Sequence, residues 1–245
     1  MKKILLALCF LPLAAFGAGG DIKLDPMPST DRSERLPSTQ RGAQLFVNYC
    51  LNCHAAAFMR FNRLKDLGLS DEQIRQNLLF STDKVGNNMT VAISKKDAAE
   101  WFGAPPPDLT LVARVRGADW LYTYLRTFYR DDSKPSGWNN IAFPNVGMPH
   151  VLWQLQGIQA KVEEKAEGGH GDGHGPPKLV LEQPGKLSKT EYDLAVRDLV
   201  NYLVYMGEPA RDQRVRIGVI VILFLVVVLL PLAYVLKKEF WKDVH

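Results

Sequence analysis

Cys50-Leu51-Asn52-Cys53-His54 is the stretch around which the chain is organised. The pattern C-x-x-C-H reads as a c-type haem attachment site. Two thiols three positions apart can add to the two vinyl groups of one haem. The His that follows at once then offers an imidazole as proximal iron ligand. A thioredoxin-like redox pair is the better alternative, but no βαβ pattern surrounds it and that chemistry has no use for the His. A zinc site would require further Cys or His ligands at matching spacing, and the chain has no second Cys pair.

The cysteine count supports this reading. Of 3 Cys, Cys9 falls in a leader, and the other two are committed to haem. No disulfide is then expected, even in an oxidising compartment. At 245 residues, 23% charged and 47% hydrophobic, the composition is that of a globular protein with an apolar element added. The net charge of +4 comes from the ends. Between residues 18 and 210, 22 basic residues face 23 acidic ones, which leaves no basic run for nucleic acid.

The ends carry addressing. Lys2 and Lys3, the apolar run Ile4–Phe16 and the small residues around Gly17 read as a signal peptide over 1–17. Ile217–Leu236 is 20 residues without a charge, about one bilayer core at ~1.5 Å per residue. Three basic residues precede this run and three follow, so flanking charge does not orient it. Export of the N-terminus does. The reading is a haem domain over 18–210 in the periplasm, an anchor over 217–236 in a bacterial inner membrane, and a cytoplasmic tail over 237–245.

Working outward from the motif, Ser38 is a candidate cap for a helix from Thr39 into Cys50. Gly42, Leu45, Phe46 and Tyr49 share one face, and Gly42 permits close approach of a second helix. Short helices are expected over 70–77, capped by Ser70, and over 95–101. The prolines of Gly103-Ala104-Pro105-Pro106-Pro107-Asp108 make a stiff segment, either a linker or a wall for the haem edge. Asp108 and Asp119 are candidate caps for the two helices after it. Residues 131–150 read as irregular loop and 164–187 as a solvated insertion with His170 and His174. Ser188-Lys189-Thr190-Glu191 is a capping box opening a helix to Met206.

For the second axial position, Met148 is the leading candidate, because Gly147 and Pro149 hold it in a constrained turn rather than on a packed helix face. His150 and Met89 are the alternatives. Thioether ligation closes the iron, raises the potential and favours electron transfer over oxygen chemistry.

Taken together these residues resemble the cytochrome c1 family, the haem subunits of quinol–cytochrome c oxidoreductase. The resemblance rests on Arg41-Gly42 ahead of Cys50-x-x-Cys53-His54, on Gly103-x-x-Pro106-Pro107-Asp108-Leu109, and on Arg114-x-Arg116 with Asp119-Trp120. It continues through Phe143-Pro144-x-x-Gly147-Met148 and Tyr202-Leu203 with Glu208-Pro209 to the single C-terminal span. It implies a mainly α, class I cytochrome c-like haem domain with one transmembrane helix and one covalent haem c. It further implies His54 and Met148 on the iron, Pro106 and Pro107 packed on the haem, and Arg116 and Arg114 near a propionate. Trp120 stands where the family often has Tyr. The implied role is non-enzymatic one-electron relay from a Rieske iron–sulfur protein to a soluble c-type cytochrome, beside cytochrome b in the bilayer. A tethered shuttle to a terminal oxidase is the alternative, ahead of a haem peroxidase, which usually needs a second haem.

Overall fold

Helix α1 (Arg35–Tyr49) delivers the haem-attachment motif. It starts before the expected Ser38 cap, because Pro37 is tolerated in a first turn whose N–H groups lack helical partners anyway. Ser38, freed from capping, is buried and donates its hydroxyl to Asp198 Oδ1 at 2.6 Å. The helix does not stop cleanly at Tyr49. Cys50 N donates to Phe46 O at 2.9 Å and His54 N to Cys50 O at 2.8 Å, so the motif continues as tight turns. The computed structural model describes residues 22–162 and 178–243. The expected signal peptide, His170 and His174 lie outside the described residues.

After the motif, β1 (Ala56–Arg60) pairs antiparallel with β2 (Asn88–Met89), and a 3₁₀ turn covers Phe61–Leu67. Helix α2 (Asp71–Asn77) has the expected Ser70 cap, with a complete capping box to Gln73. Helix α3 (Lys95–Phe102) is capped by Ser94 and stopped by Gly103 in the left-handed region. Helix α4 (Val112–Arg116) and helix α5 (Ala118–Arg126) follow the prolines.

Neither aspartate caps as expected. Asp108 accepts from Ala57 N and Thr110 N and so ties the proline segment to β1. Asp119 lies in the first turn of α5, where it accepts from Met27 N at 2.8 Å. Asp25 pairs with Arg126 at 2.7 Å, so the extended arm is strapped along α5.

A hairpin begins where the helix expected from Trp120 to Tyr129 should end and runs into the segment expected as loop. β3 (Phe128–Arg130) pairs with β4 (Trp138–Asn140). Past a short helix α6 (Trp153–Gln156), β5 (Gly157–Val162) pairs with β6 (Lys178–Pro184), so part of the expected insertion is strand.

Helix α7 (Lys189–Gly207) opens on the Ser188–Glu191 capping box and crosses α1. Gly42 makes the crossing possible: a Cβ there would lie 1.9 Å from Asp198 O and 2.9 Å from Tyr202 Cβ. Phe46 and Tyr202, both fully buried, pack with ring centroids 5.3 Å apart. Around them lie Val196, Leu199, Leu203 and Met206 of α7.

Helix α8 (Arg211–Phe240) is long and apolar enough to cross a membrane, and none of its apolar window is buried in the protein. A π turn at Leu225–Leu229 sits just ahead of Pro231. Proline lacks the N–H for a regular helical bond, and the widened turn absorbs the defect. Glu208 joins this helix to the head, pairing with Arg114 at 2.9 Å and Arg214 at 2.6 Å.

Candidate haem site

The motif and the proline segment meet at His54. Its Nδ1 lies 2.8 Å from Pro107 O. A carbonyl only accepts, so Nδ1 carries the proton and Nε2 keeps its lone pair. Burial pushes the His54 pKa down, against the smaller upward pulls of the Pro107 carbonyl and the Asp108 carboxylate. The imidazole is therefore neutral, as a ligand must be. Leu109 N donates to Ala55 O at 2.9 Å and locks the proline segment against the residues after the motif. Pro107 thus contributes its backbone to the site, a role that side-chain reading could not supply.

Both motif thiols are unpaired. Cys50 is buried, which pushes its thiol up to about 12, with Cys53 adding to the effect. Phe58, Leu111 and Val115 are exposed, Phe58 at 83% and Val115 at 77%. Phe58 N donates to Thr110 Oγ1 at 3.4 Å, which ties the first of these to the segment carrying the other two.

Met148 sits in the loop after β4, partly buried. Its sulfur accepts from Tyr124 Oη at 3.3 Å. The loop is pinned by two neighbouring amides. Asn140 Oδ1 accepts from Ala142 N at 2.8 Å and Phe143 N at 3.0 Å, while Asn139 Oδ1 accepts from Asn145 N at 2.8 Å. Asn145 takes the left-handed conformation at φ 62°, which Asn tolerates.

The competing ligands are packed inside. Met89 is fully buried and accepts from Tyr202 Oη at 3.4 Å. His150 is 2% exposed, stacked on Phe128 at 4.9 Å and edge-on to Trp138 at 5.2 Å. Burial pushes its pKa down to about 4, opposed weakly by Gln156.

The two arginines part company. Arg114 is paired with Glu208. Arg116 lies 4.9 Å over the Trp120 ring and 5.9 Å from that of Phe143. Trp120 in turn stacks on Tyr124 at 4.9 Å, so Arg116, Trp120, Tyr124 and Met148 form a contiguous set. Tyr124, Asn139 and Asn140 are the residues that sequence reasoning missed. Asn139-Asn140 ahead of Phe143-Pro144 was a legible turn signal, but it names no partner. The Tyr124–Met148 contact leaves no local signal at all.

A mainly helical domain that presents a C-x-x-C-H turn, followed by one long apolar helix, defines an anchored c-type cytochrome. The Cytochrome C1 family matches residues 32–166 and 185–244. A protein of Nitrosomonas europaea named ammonia monooxygenase gamma subunit is 51% identical over 100% of this chain and 99% of its own. Cytochrome c1 of Allochromatium vinosum is 50% identical over the full length of both. A protein of Bradyrhizobium diazoefficiens named cytochrome b/c1 is 25% identical over 84% of this chain and 33% of its own. The chain belongs to the cytochrome c1 family and is an electron carrier of that family, which is membrane-anchored and carries covalent haem c.

The residues present fit that group: a neutral imidazole with Nε2 free, two unpaired thiols, a restrained thioether and exposed apolar side chains.

Proposed function

We propose that this chain relays single electrons from a Rieske iron–sulfur protein to a soluble c-type cytochrome, within a membrane complex that oxidises quinol and contains cytochrome b. Haem c, when bound, supplies the one-electron couple. Cys50 and Cys53 would hold it covalently, with His54 and Met148 as axial ligands. Pro107 orients the His54 imidazole through its carbonyl, and Pro106 and Pro107 would pack on the haem. Arg116 would neutralise a propionate, with Trp120 and Phe143 fixing its guanidinium. Arg114, paired with Glu208, helps hold the anchor to the head.

The observation that carries the relay reading is the restrained Met148 sulfur, held under the Tyr124 hydroxyl in a pinned loop. A thioether on the second axial position leaves no coordination site for oxygen or peroxide, and filled axial sites favour electron transfer. The haem domain is read as periplasmic, with helix α8 as a single span in a bacterial inner membrane.

The relative named ammonia monooxygenase gamma subunit favours a second reading, in which the same relay serves a monooxygenase. Purification of the native membrane complex separates the two. Co-purifying b-type cytochrome and Rieske protein support the quinol-oxidising complex. Monooxygenase subunits in their place would overturn it.

A further inference from the structure

We infer that Tyr124 is a positioning residue that sets the donor strength of the Met148 sulfur and thereby raises the reduction potential, an inference that rests on Met148 being the sixth ligand proposed above. Tyr124 Oη lies 3.3 Å from Met148 Sδ. A thioether has no proton to give, so the phenol is the donor. Its sulfur has two lone pairs. Ligation uses one, and the Tyr124 O–H takes density from the other. A sulfur that gives less density stabilises the oxidised, more positive iron less than the reduced one, so the hydrogen bond raises the potential.

The contact is built into the scaffold from both sides. The Tyr124 ring stacks on Trp120 at 4.9 Å and 10°, and meets Phe128 edge-on at 5.0 Å and 67°. Phe128 is itself stacked on His150 at 4.9 Å and 4°. His150 lies two residues past Met148, so the aromatic column returns to the loop that carries the sulfur. The backbone closes the same bracket. Asn140 Nδ2 donates to Tyr124 O at 2.8 Å, while Asn140 Oδ1 accepts from Ala142 N and Phe143 N. Donor and acceptor are therefore fixed by one side chain, and the phenol cannot swing away without breaking two ring contacts.

The test uses full-length, haem-loaded protein in detergent, with the midpoint potential and the near-infrared sulfur-to-iron band as readouts. Tyr124→Phe keeps the ring contacts and removes only the hydroxyl. It is expected to lower the midpoint and shift the band while retaining it. Tyr122→Phe, on the same helix with its ring against Arg126, is expected to change neither. Placing 3-fluorotyrosine at position 124 alone gives a more acidic O–H and is expected to move the midpoint upward, an independent check should the Phe variant fail to fold. A Tyr124→Phe midpoint that is unchanged or higher overturns the inference. So does loss of the band, which assigns Tyr124 to holding the ligand in place. Absence of the band from the wild-type protein overturns the Met148 assignment itself. A wild-type band that Tyr124→Phe does not move overturns the role of Tyr124 alone.

Discussion

Single atoms decide the chemistry around His54 and Asp198. At His54 the Pro107 carbonyl fixes the tautomer, and no side-chain substitution at position 107 removes a backbone oxygen. Its counterpart Met148 can be changed. Met148→Leu keeps volume and loses sulfur, so the holoprotein is expected to lose the near-infrared band, fall in midpoint potential and bind added imidazole more tightly. A potential and band equal to the wild type's would remove Met148 from the iron. Asp198 is a separate case of placed charge. Burial pushes its pKa up, but hydrogen bonds from Arg41 at 2.6 Å, Ser38 at 2.6 Å and Arg197 outweigh it and hold the carboxyl below its ordinary value. The folded protein therefore binds that proton less readily than the unfolded chain, whose Asp titrates near 3.9. The stabilisation is present in full above that value. It is lost as pH falls through the lower folded one. Asp198→Asn is expected to be less stable than wild type at pH 7, with the gap closing on acidification in denaturant titrations. A gap independent of pH would assign the effect to shape and not charge.

The α1–α7 crossing and the Met148 loop show what an element needs from its neighbours. At Gly42 an added Cβ meets the backbone carbonyl of Asp198, and backbone cannot rotate aside. Gly42→Ala is expected to push the helices apart and cost about 3 kcal/mol, at the upper end for overpacked sites. Equilibrium denaturation of the holoprotein reads this as a lower midpoint with an unchanged slope. An unchanged midpoint would mean that the helices can separate freely. A close approach at Gly42 and the start of α7 were legible in the sequence, because a Gly on the apolar face of one helix and a capping box opening another are local signals; that these two helices meet is what the family resemblance implies. The start of α1 was not. Ser38 looks like a cap, but Asp198, 160 positions away, uses its hydroxyl instead. Asp119 looked like a cap for the same local reason and went to the arm at Met27. The helix expected to Tyr129 hid β3 and the loop over 131–150 hid β4, because two three-residue strands carry too little alternation to be read. In the proposed site, the motif and Met148 are read from spacing and flanking Gly and Pro. Tyr124 was not, since its partner is set by the tertiary fold.

Across the whole molecule the core and the anchor divide sharply. Buried side chains among the described residues end at Met206, and helix α8 contributes none. Among the described residues two ion-paired connections join the parts: Glu208 bridging Arg114 to Arg214, and Arg35 facing Asp212 at 3.6 Å. Exposed pairs of this kind contribute little to stability. The haem head should therefore not depend on the anchor for its fold. A chain stopped after Ala210 keeps Glu208 with Arg114 and loses only the pairs to Arg214 and Asp212. Expressed with the leader proposed over residues 1–17, it is expected to appear in the periplasmic fraction without detergent. Its absorption spectrum and midpoint potential should match the full-length protein, and its thermal midpoint should fall only slightly, since only exposed surface pairs are lost. What it should lose is retention in the membrane complex. If the truncated head instead fails to take up haem, helix α8 is part of the folding unit, and the Glu208 bridge would have to be read as a structural joint of the haem domain.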